Sequence, residues 1–382
     1  MTIKLMVSDP DKLFFKEIES EFSSILILDL IEGPADPRKL EKNIEEEDPE
    51  LLLLGPGWDE SVLKKSVNEL SSNDPGMTII VAVAGSLELS KILIEAGAKE
   101  VINVPIESAK LLQTIQKCLK KDSKPAKQER KREGGKIITV FSTKGGVGKT
   151  VVAINVAVGI SKKKSSEVVI LDLDLQFGDV GVMLKQSPKY TIYDLVSSGE
   201  DIDKTRVKSM LTEYSSNFKS LLAPLQPEHA DLILPKTVNP TLSALRQLAD
   251  YVVIDTPPLF NDNILSVLDL SDHVILVSTM DLPSVKNVKL CLQTMKLLGY
   301  PQEKVKLILN RVEKGIGLSV EEIEKSLKMK ISQTIPNDKT VLLSVNKGVP
   351  VVEEAPKSPS GISLSKLTDI FLKSKDKELV SA

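Results

Sequence analysis

Apolar positions along the first part of the chain fall in short unbroken runs, IKLMVSD from Ile3, SILILDL from Ser24, LLLLGPG from Leu51, MTIIVAVAG from Met77 and EVINVPI from Glu100. Runs without polar alternation suit strands covered on both faces, and the longer mixed segments between them suit helices. Residues 1–120 are therefore predicted to form a five-stranded parallel sheet wrapped by helices. Residues 121–135, KDSKPAKQERKREGG, carry many charges, a proline and a glycine pair with no apolar period, which predicts a linker. A second series starts at KIITVFST (136–143) and continues through VVILDLD, YVVIDTPP, HVILVSTMD and KVKLILNRV. Helical stretches such as VVAINVAVGISKK and LPSVKNVKLCLQTMKLLGY lie between. The pattern predicts a second α/β domain over 136–375, doubly wound, with ligands at the carboxyl ends of its strands, and a tail over 376–382.

Composition narrows this only a little. Hydrophobic residues make up 41% of 382 and charged residues 27%, the balance of a chain that buries a sizeable core. The formal net charge of -3 gives no global attraction to a polyanion, so nucleic acid is an unlikely partner. The two cysteines, Cys118 and Cys291, are far apart and suit a reducing cytoplasm. The start MTIKLMVSDPDK lacks a signal-peptide pattern, and no apolar run nears the ~20 residues of a membrane span. Membrane contact is expected to be indirect.

The candidate chemistry begins where the strand KIITVFST runs into Lys144-Gly145-Gly146-Val147-Gly148-Lys149-Thr150, with helix-forming residues from Val151 onward. Glycines let successive backbone N–H groups point at phosphate oxygens, and the helix start adds its positive end. Lys149 would contact the outer phosphates and Thr150 would ligate Mg²⁺. The next strand ends in Asp172-Leu-Asp174, two carboxylates expected on one face of the strand. One of the two would hold Mg²⁺ through water and the other orient the attacking water. Tyr251-Val-Val-Ile-Asp255 has the form of an apolar strand ending in the acid that sits beside the metal.

A KGGxGKT loop with the extra Lys144 resembles the MinD/ParA group of deviant P-loop ATPases, and the likeness spans 136 to about 372. The resemblance implies a P-loop NTPase fold, slow ATP hydrolysis and a homodimer closed over ATP, in which Lys144 reaches the nucleotide of the partner subunit. It also implies that the second Asp of the DxD, Asp174, is catalytic and activates water, which assigns Asp172 to the metal shell. Adenine contacts would come from Asn310 and Arg311, and from the IPxD loop at Pro336, Asn337 and Asp338. No N/T-K-x-D motif occurs, which favours ATP over GTP.

The wording LDLDLQFGD resembles the TadZ/CpaE branch, localisation ATPases of tight-adherence pilus assembly. The first domain resembles a response-regulator receiver of flavodoxin-like type with its phosphotransfer residues missing: Asp9 and Asp11 follow the first strand, yet Gly55 stands where the acceptor aspartate belongs, Ala84 or Gly85 at the Ser/Thr position, and Val104 in place of the lysine before Pro105. The branch implies partners in a pilus secretion machine and recruitment to the inner face of the membrane at a cell pole. The alternatives are a ParA-like partitioning ATPase with nonspecific DNA binding, set back by only six arginines, and a weakly hydrolysing scaffold locked by ATP. A nitrogenase-type iron protein needs two cluster cysteines per subunit, and Cys291 stands alone in this domain. The segment LSKLTDIFLK, with Leu364, Leu367, Ile370 and Phe371 at helical spacing, is expected to pack on the sheet.

Overall fold

The computed structural model describes residues 3–22, 25, 28–74, 77–84, 87–106, 111, 114–115, 118, 134–164, 166–197, 199, 201–313, 315 and 317–372. Most of the expected linker (121–133) and the tail 376–382 lie outside them. The chain divides into two compact units, Met1–Arg130 with Leu292–Tyr300, and Lys131–Cys291 with Pro301–Ala382.

In the first unit β1 (Ile3–Ser8), β2 (Leu28–Glu32), β3 (Leu51–Leu54), β4 (Thr78–Val83) and β5 (Glu100–Asn103) form one parallel sheet in the order β2-β1-β3-β4-β5. This is the flavodoxin-like order of the doubly wound folds. All residues of β3 and β4 are buried, which is why those runs show no polar alternation.

At the carboxyl end of β1 the Asp9 carboxylate is fully engaged by backbone. Its Oδ1 accepts from the Asp11 amide at 2.6 Å and its Oδ2 from the Gly57 amide at 2.8 Å. The two early acids therefore close a turn, and Trp58 seals it by donating from Nε1 to the Ser8 carbonyl at 3.0 Å. A Cβ placed on Gly55 would stand 2.1 Å from Asp9 Oδ2, so the Asp9 carboxylate fills the space a side chain there would need. Gly55→Asp is expected to lower the melting temperature, by about 1–3 kcal/mol of stability, and to take up no phosphoryl group from acetyl phosphate. Mass spectrometry showing a phosphorylated Asp at 55 would contradict this reading.

The second unit holds eight strands in the order β13-β12-β11-β6-β10-β7-β9-β8. The five expected from the sequence are β6 (Lys136–Phe141), β7 (Val168–Asp172), β10 (Tyr251–Asp255), β11 (His273–Ser278) and β12 (Val305–Val312). Three more extend the edges: β8 (Thr212–Ser215), β9 (Phe218–Leu221) and β13 (Ile331–Pro336). The outermost two, β8 and β13, escape the sequence pattern because TEYS and ISQT are polar and only partly buried, as edge strands are. Among the described residues of this sheet only β8 runs antiparallel to its neighbour.

Apolar cores cover both faces of this sheet. On one face lies the helix Lys149–Lys164, with every residue from Val152 to Ser161 buried. A helix enclosed on all sides needs apolar residues all round, and VVAINVAVGI supplies them. Its small Gly159 lets the last helix, Pro359–Leu372, approach closely; a Cβ there would sit 2.5 Å from Thr368 Oγ1. Leu364, Leu367 and Phe371 are buried and Ile370 partly so, as their spacing predicts. Each fully buried side chain of this kind contributes about 1.5–3 kcal/mol. On the other face pack Pro235–Leu248 and Asp262–Leu270. Among the described residues no helix is long and apolar enough to cross a membrane.

Candidate functional site

The central strand β6 delivers its chain directly into Lys144–Thr150, and the helix begins at Lys149. Gly146 and Gly148 have φ of 72° and 95°, the left-handed region that glycine tolerates without strain, and a Cβ on Gly145 or Gly146 would meet nothing within 4 Å. The loop thus keeps an open outer face for phosphates. Its inner face is braced by Asn310, at the end of β12, whose Nδ2 donates to the Val147 carbonyl at 2.8 Å. A Cβ on Gly148 would stand 2.4 Å from that same Nδ2. Gly148→Ala is therefore expected to break the brace and strain the loop, with at least tenfold weaker nucleotide binding and about 1–3 kcal/mol less stability. Titration calorimetry with ATP checks it; unchanged affinity would refute the bracing role.

Next to the loop, β10 and β7 are paired in parallel register with Asp255 opposite Asp172. Equivalent positions on neighbouring strands point to the same face, so the two carboxylates lie side by side. Both are buried, at 0% and 1% exposure. Asp172 is engaged: Oδ1 accepts from the Asp174 amide at 3.1 Å and Oδ2 from the Val180 amide at 3.2 Å, which anchors the segment 173–180. Gly178 is needed there, since a Cβ would meet Asp172 Oδ2 and Ala223 Cβ at 2.5 Å. Neither oxygen of Asp255 has a partner of hydrogen-bond geometry. The Thr150 hydroxyl and Lys149 ammonium lie near enough to favour its charge, yet burial dominates and pushes its carboxyl up to about 7. Burial, then the neighbouring Asp255, raise Asp172 well above the usual carboxylate range.

Lys149 is itself buried, and burial lowers its ammonium while Asp255 and Asp174 oppose the change. Asp174 is half-buried; burial raises its carboxyl against the pull of Lys149. The expectation that both acids of the DxD share one strand needs correction, because β7 ends at Asp172 and Asp174 lies in the following loop. The backbone turns there because Asp172 collects the amides of that loop. Beyond that loop a short helix forms at Asp194–Ser197, and a separate helix, Lys204–Met210, follows.

An unpartnered buried carboxylate is costly unless a proton or cation meets it. Two carboxylates and a hydroxyl suit a hard cation such as Mg²⁺. Among the described residues no group of three or more His, Cys, Asp or Glu gathers, so most ligands of such an ion would be water and phosphate oxygens.

The remaining sequence candidates sit at the ends of β12 and β13. Val312 pairs with Pro336, and the Asn337 amide donates to the Val312 carbonyl at 2.8 Å, which brings Asn310–Arg311 beside the 336–338 loop. Arg311 is exposed with φ 55°, and its amide donates to Asn310 Oδ1 at 3.0 Å. Asn337 Nδ2 donates to Glu313 Oε2 at 3.1 Å. Asp338 accepts from the amides of Thr340 at 2.9 Å and Ser360 at 3.2 Å, so one carboxylate caps two helices. Val151, in the first turn after the loop, gives its carbonyl to Asn155 Nδ2 at 2.8 Å.

Lys144 leaves the loop sideways. Its Nζ donates to Asp281 Oδ1 and Ser284 Oγ, each at 2.8 Å. Nothing in the sequence signals this contact, because Asp281 lies 137 residues beyond Lys144 in the chain.

Residues 135–307 match the family model described as an AAA domain. The septum site-determining protein MinD of Thermotoga maritima is 26% identical over 224 residues, covering 57% of this chain and 81% of that protein. Among solved structures, the ParA family ATPase from Chlorobium tepidum matches with a TM-score of 0.58 at 25% identity, over 61% of this chain and 98% of that one. The second unit has the P-loop NTPase fold of the MinD and ParA ATPases. MinD of Pyrococcus horikoshii, solved with Mg-ADP, shares the fold at a TM-score of 0.55 and 21% identity, over 62% of this chain and 96% of its own.

Proposed function

We propose that this chain is an ATP-dependent dimeric switch that hydrolyses ATP slowly and, like the TadZ/CpaE branch it resembles, positions a tight-adherence pilus secretion machine. The observation that carries the ATPase reading is the buried, unpartnered Asp255 carboxylate beside a phosphate loop. Amides of Gly145 to Thr150 cradle the phosphates and Lys149 neutralises them. Asp255, Asp172 and Thr150 would hold Mg²⁺, which would shield phosphate charge. Asp174 orients water, and Lys144 reaches the nucleotide of a second copy. Asn310, Arg311, Pro336, Asn337 and Asp338 would border the adenine, and Val151, in the first turn after the loop, would join the nucleotide site.

Phe177 and Val182, each 74% exposed on the segment that Asp172 anchors, offer that copy an apolar surface tied to the nucleotide site. The test is phosphate release from wild type and Asp174→Ala, where a drop of about a hundredfold is expected and equal release would sink the assignment.

The pilus reading rests on the LDLDLQFGD segment and on a first unit whose Asp9 occupies the acceptor space. A deletion strain that keeps normal surface pili would refute it. The likeness to a ParA family ATPase keeps partitioning as the second reading; ATP-dependent DNA binding with a steep salt slope would favour it.

A further inference from the structure

We propose that Ser360 is a positioning residue for the nucleotide base: through it the last helix holds the loop 336–338 at a fixed place beside Asn310, and so sets the preference for ATP over GTP. The inference rests on the reading above that this loop borders the adenine.

Ser360 is 0% exposed and stands in the first turn of Pro359–Leu372. It grips the loop at both ends. Its amide donates to Asp338 Oδ2 and its hydroxyl to the Pro336 carbonyl, each at 3.2 Å. Asp338 Oδ1 is meanwhile taken by the Thr340 amide at 2.9 Å, so the carboxylate cannot turn without giving up a bond. Burial works against its charge, and the bonds from Thr340 and Ser360 outweigh it and hold the carboxyl below the usual range. From the other side the Asn337 amide is bonded to the Val312 carbonyl of β12, the strand that carries Asn310. The loop is thus clamped between a strand end and a helix start.

Such a clamp is only as steady as the helix that carries it. The start of that helix is pinned, because the Gly361 amide donates to Ser358 Oγ at 3.0 Å and a Cβ on Gly361 would run into the Ala355 carbonyl. Farther along, Thr368 lies against Gly159, and Lys163 Nζ donates to the Ser365 carbonyl at 2.9 Å and to Asp369 Oδ1 at 2.7 Å. Gly159 and Lys163 belong to the helix that begins at the phosphate loop. One helix therefore ties the base loop to the phosphate loop, and Ser360 is its contact at the base end. A loop already held in its bound shape costs less to order when the base arrives.

Ser360→Ala removes the hydroxyl and leaves the backbone bond to Asp338 in place. Binding of Mg-ATP, Mg-GTP and Mg-tripolyphosphate is read by titration calorimetry well below the melting temperature. ATP affinity is expected to fall roughly three- to tenfold, the loss of one buried hydrogen bond. Affinity for tripolyphosphate, which has no base, should stay as in wild type, and the preference for ATP over GTP should shrink. An equal loss for ATP and tripolyphosphate would make Ser360 merely structural and overturn the proposal, as would unchanged ATP affinity. Asn337→Ala separates the clamp from the reading beneath it. A preference altered by Asn337→Ala but not by Ser360→Ala would overturn the clamp alone, whereas a preference altered by neither would remove the loop from the base site and the proposal with it.

Discussion

Asp255→Asn should make the nucleotide-free protein more stable at pH 8, by about 2–4 kcal/mol. The sign follows from linkage. Burial raises the folded-state value of this carboxyl to about 7 from an ordinary 3.8. Between those values the folded chain keeps a proton that the unfolded chain has released, so stability is highest at the acid end and falls as pH rises towards 7. Above that the full penalty of a buried, unpartnered carboxylate is present. The Asn variant lacks the penalty. Melting temperatures of wild type without nucleotide should therefore drop between pH 5.5 and 8, and those of the variant should stay flatter. The same charge is what a cation needs, so Mg-ATP should stabilise wild type more at pH 8 than at pH 6 and stabilise the variant little. A wild-type profile that rises with pH, or a variant with the same slope, would contradict the account of the carboxylate pair.

Lys149→Ala should weaken ATP binding and lower hydrolysis, each by at least about a hundredfold. Lys149 is 7% exposed and its charge acts on Asp255 and Asp174. Its removal leaves these two carboxylates without that cation, so burial should raise both carboxyls further and carry the loss of stability with rising pH to higher pH. Fluorescent-nucleotide titration reads the first effect and phosphate release the second. Retention of binding within a few-fold of wild type would show that the loop amides alone hold the phosphates.

Much of this site was legible before any coordinates. The phosphate loop, Asp172 and Asp255 could be read because apolar strands end abruptly in them, and the register that sets Asp255 opposite Asp172 follows from adjacent parallel strands. What stayed hidden depends on contacts remote in sequence. Asn310 shows no sign in its own strand that its amide braces Val147, and Asp338 none that it caps a second helix at Ser360. The placement of Asp174 beyond β7 was misjudged because alternation along a strand presumes that the strand continues. Edge strands β8 and β13 were missed because half-exposed strands need few apolar residues. In the first unit the sequence shows Gly55, but only packing shows the Asp9 carboxylate filling the space beside it.

The central claim is that turnover needs Asp174 from one subunit and Lys144 from the other, and mixing two inactive variants tests it most directly. Lys144→Ala and Asp174→Ala are each expected to release phosphate slowly alone. Random exchange of subunits gives about half heterodimers, each with one complete site of two, so the equimolar mixture should regain about a quarter of the wild-type rate. A mixture no more active than its two components, with exchange verified, would contradict a site completed across the dimer.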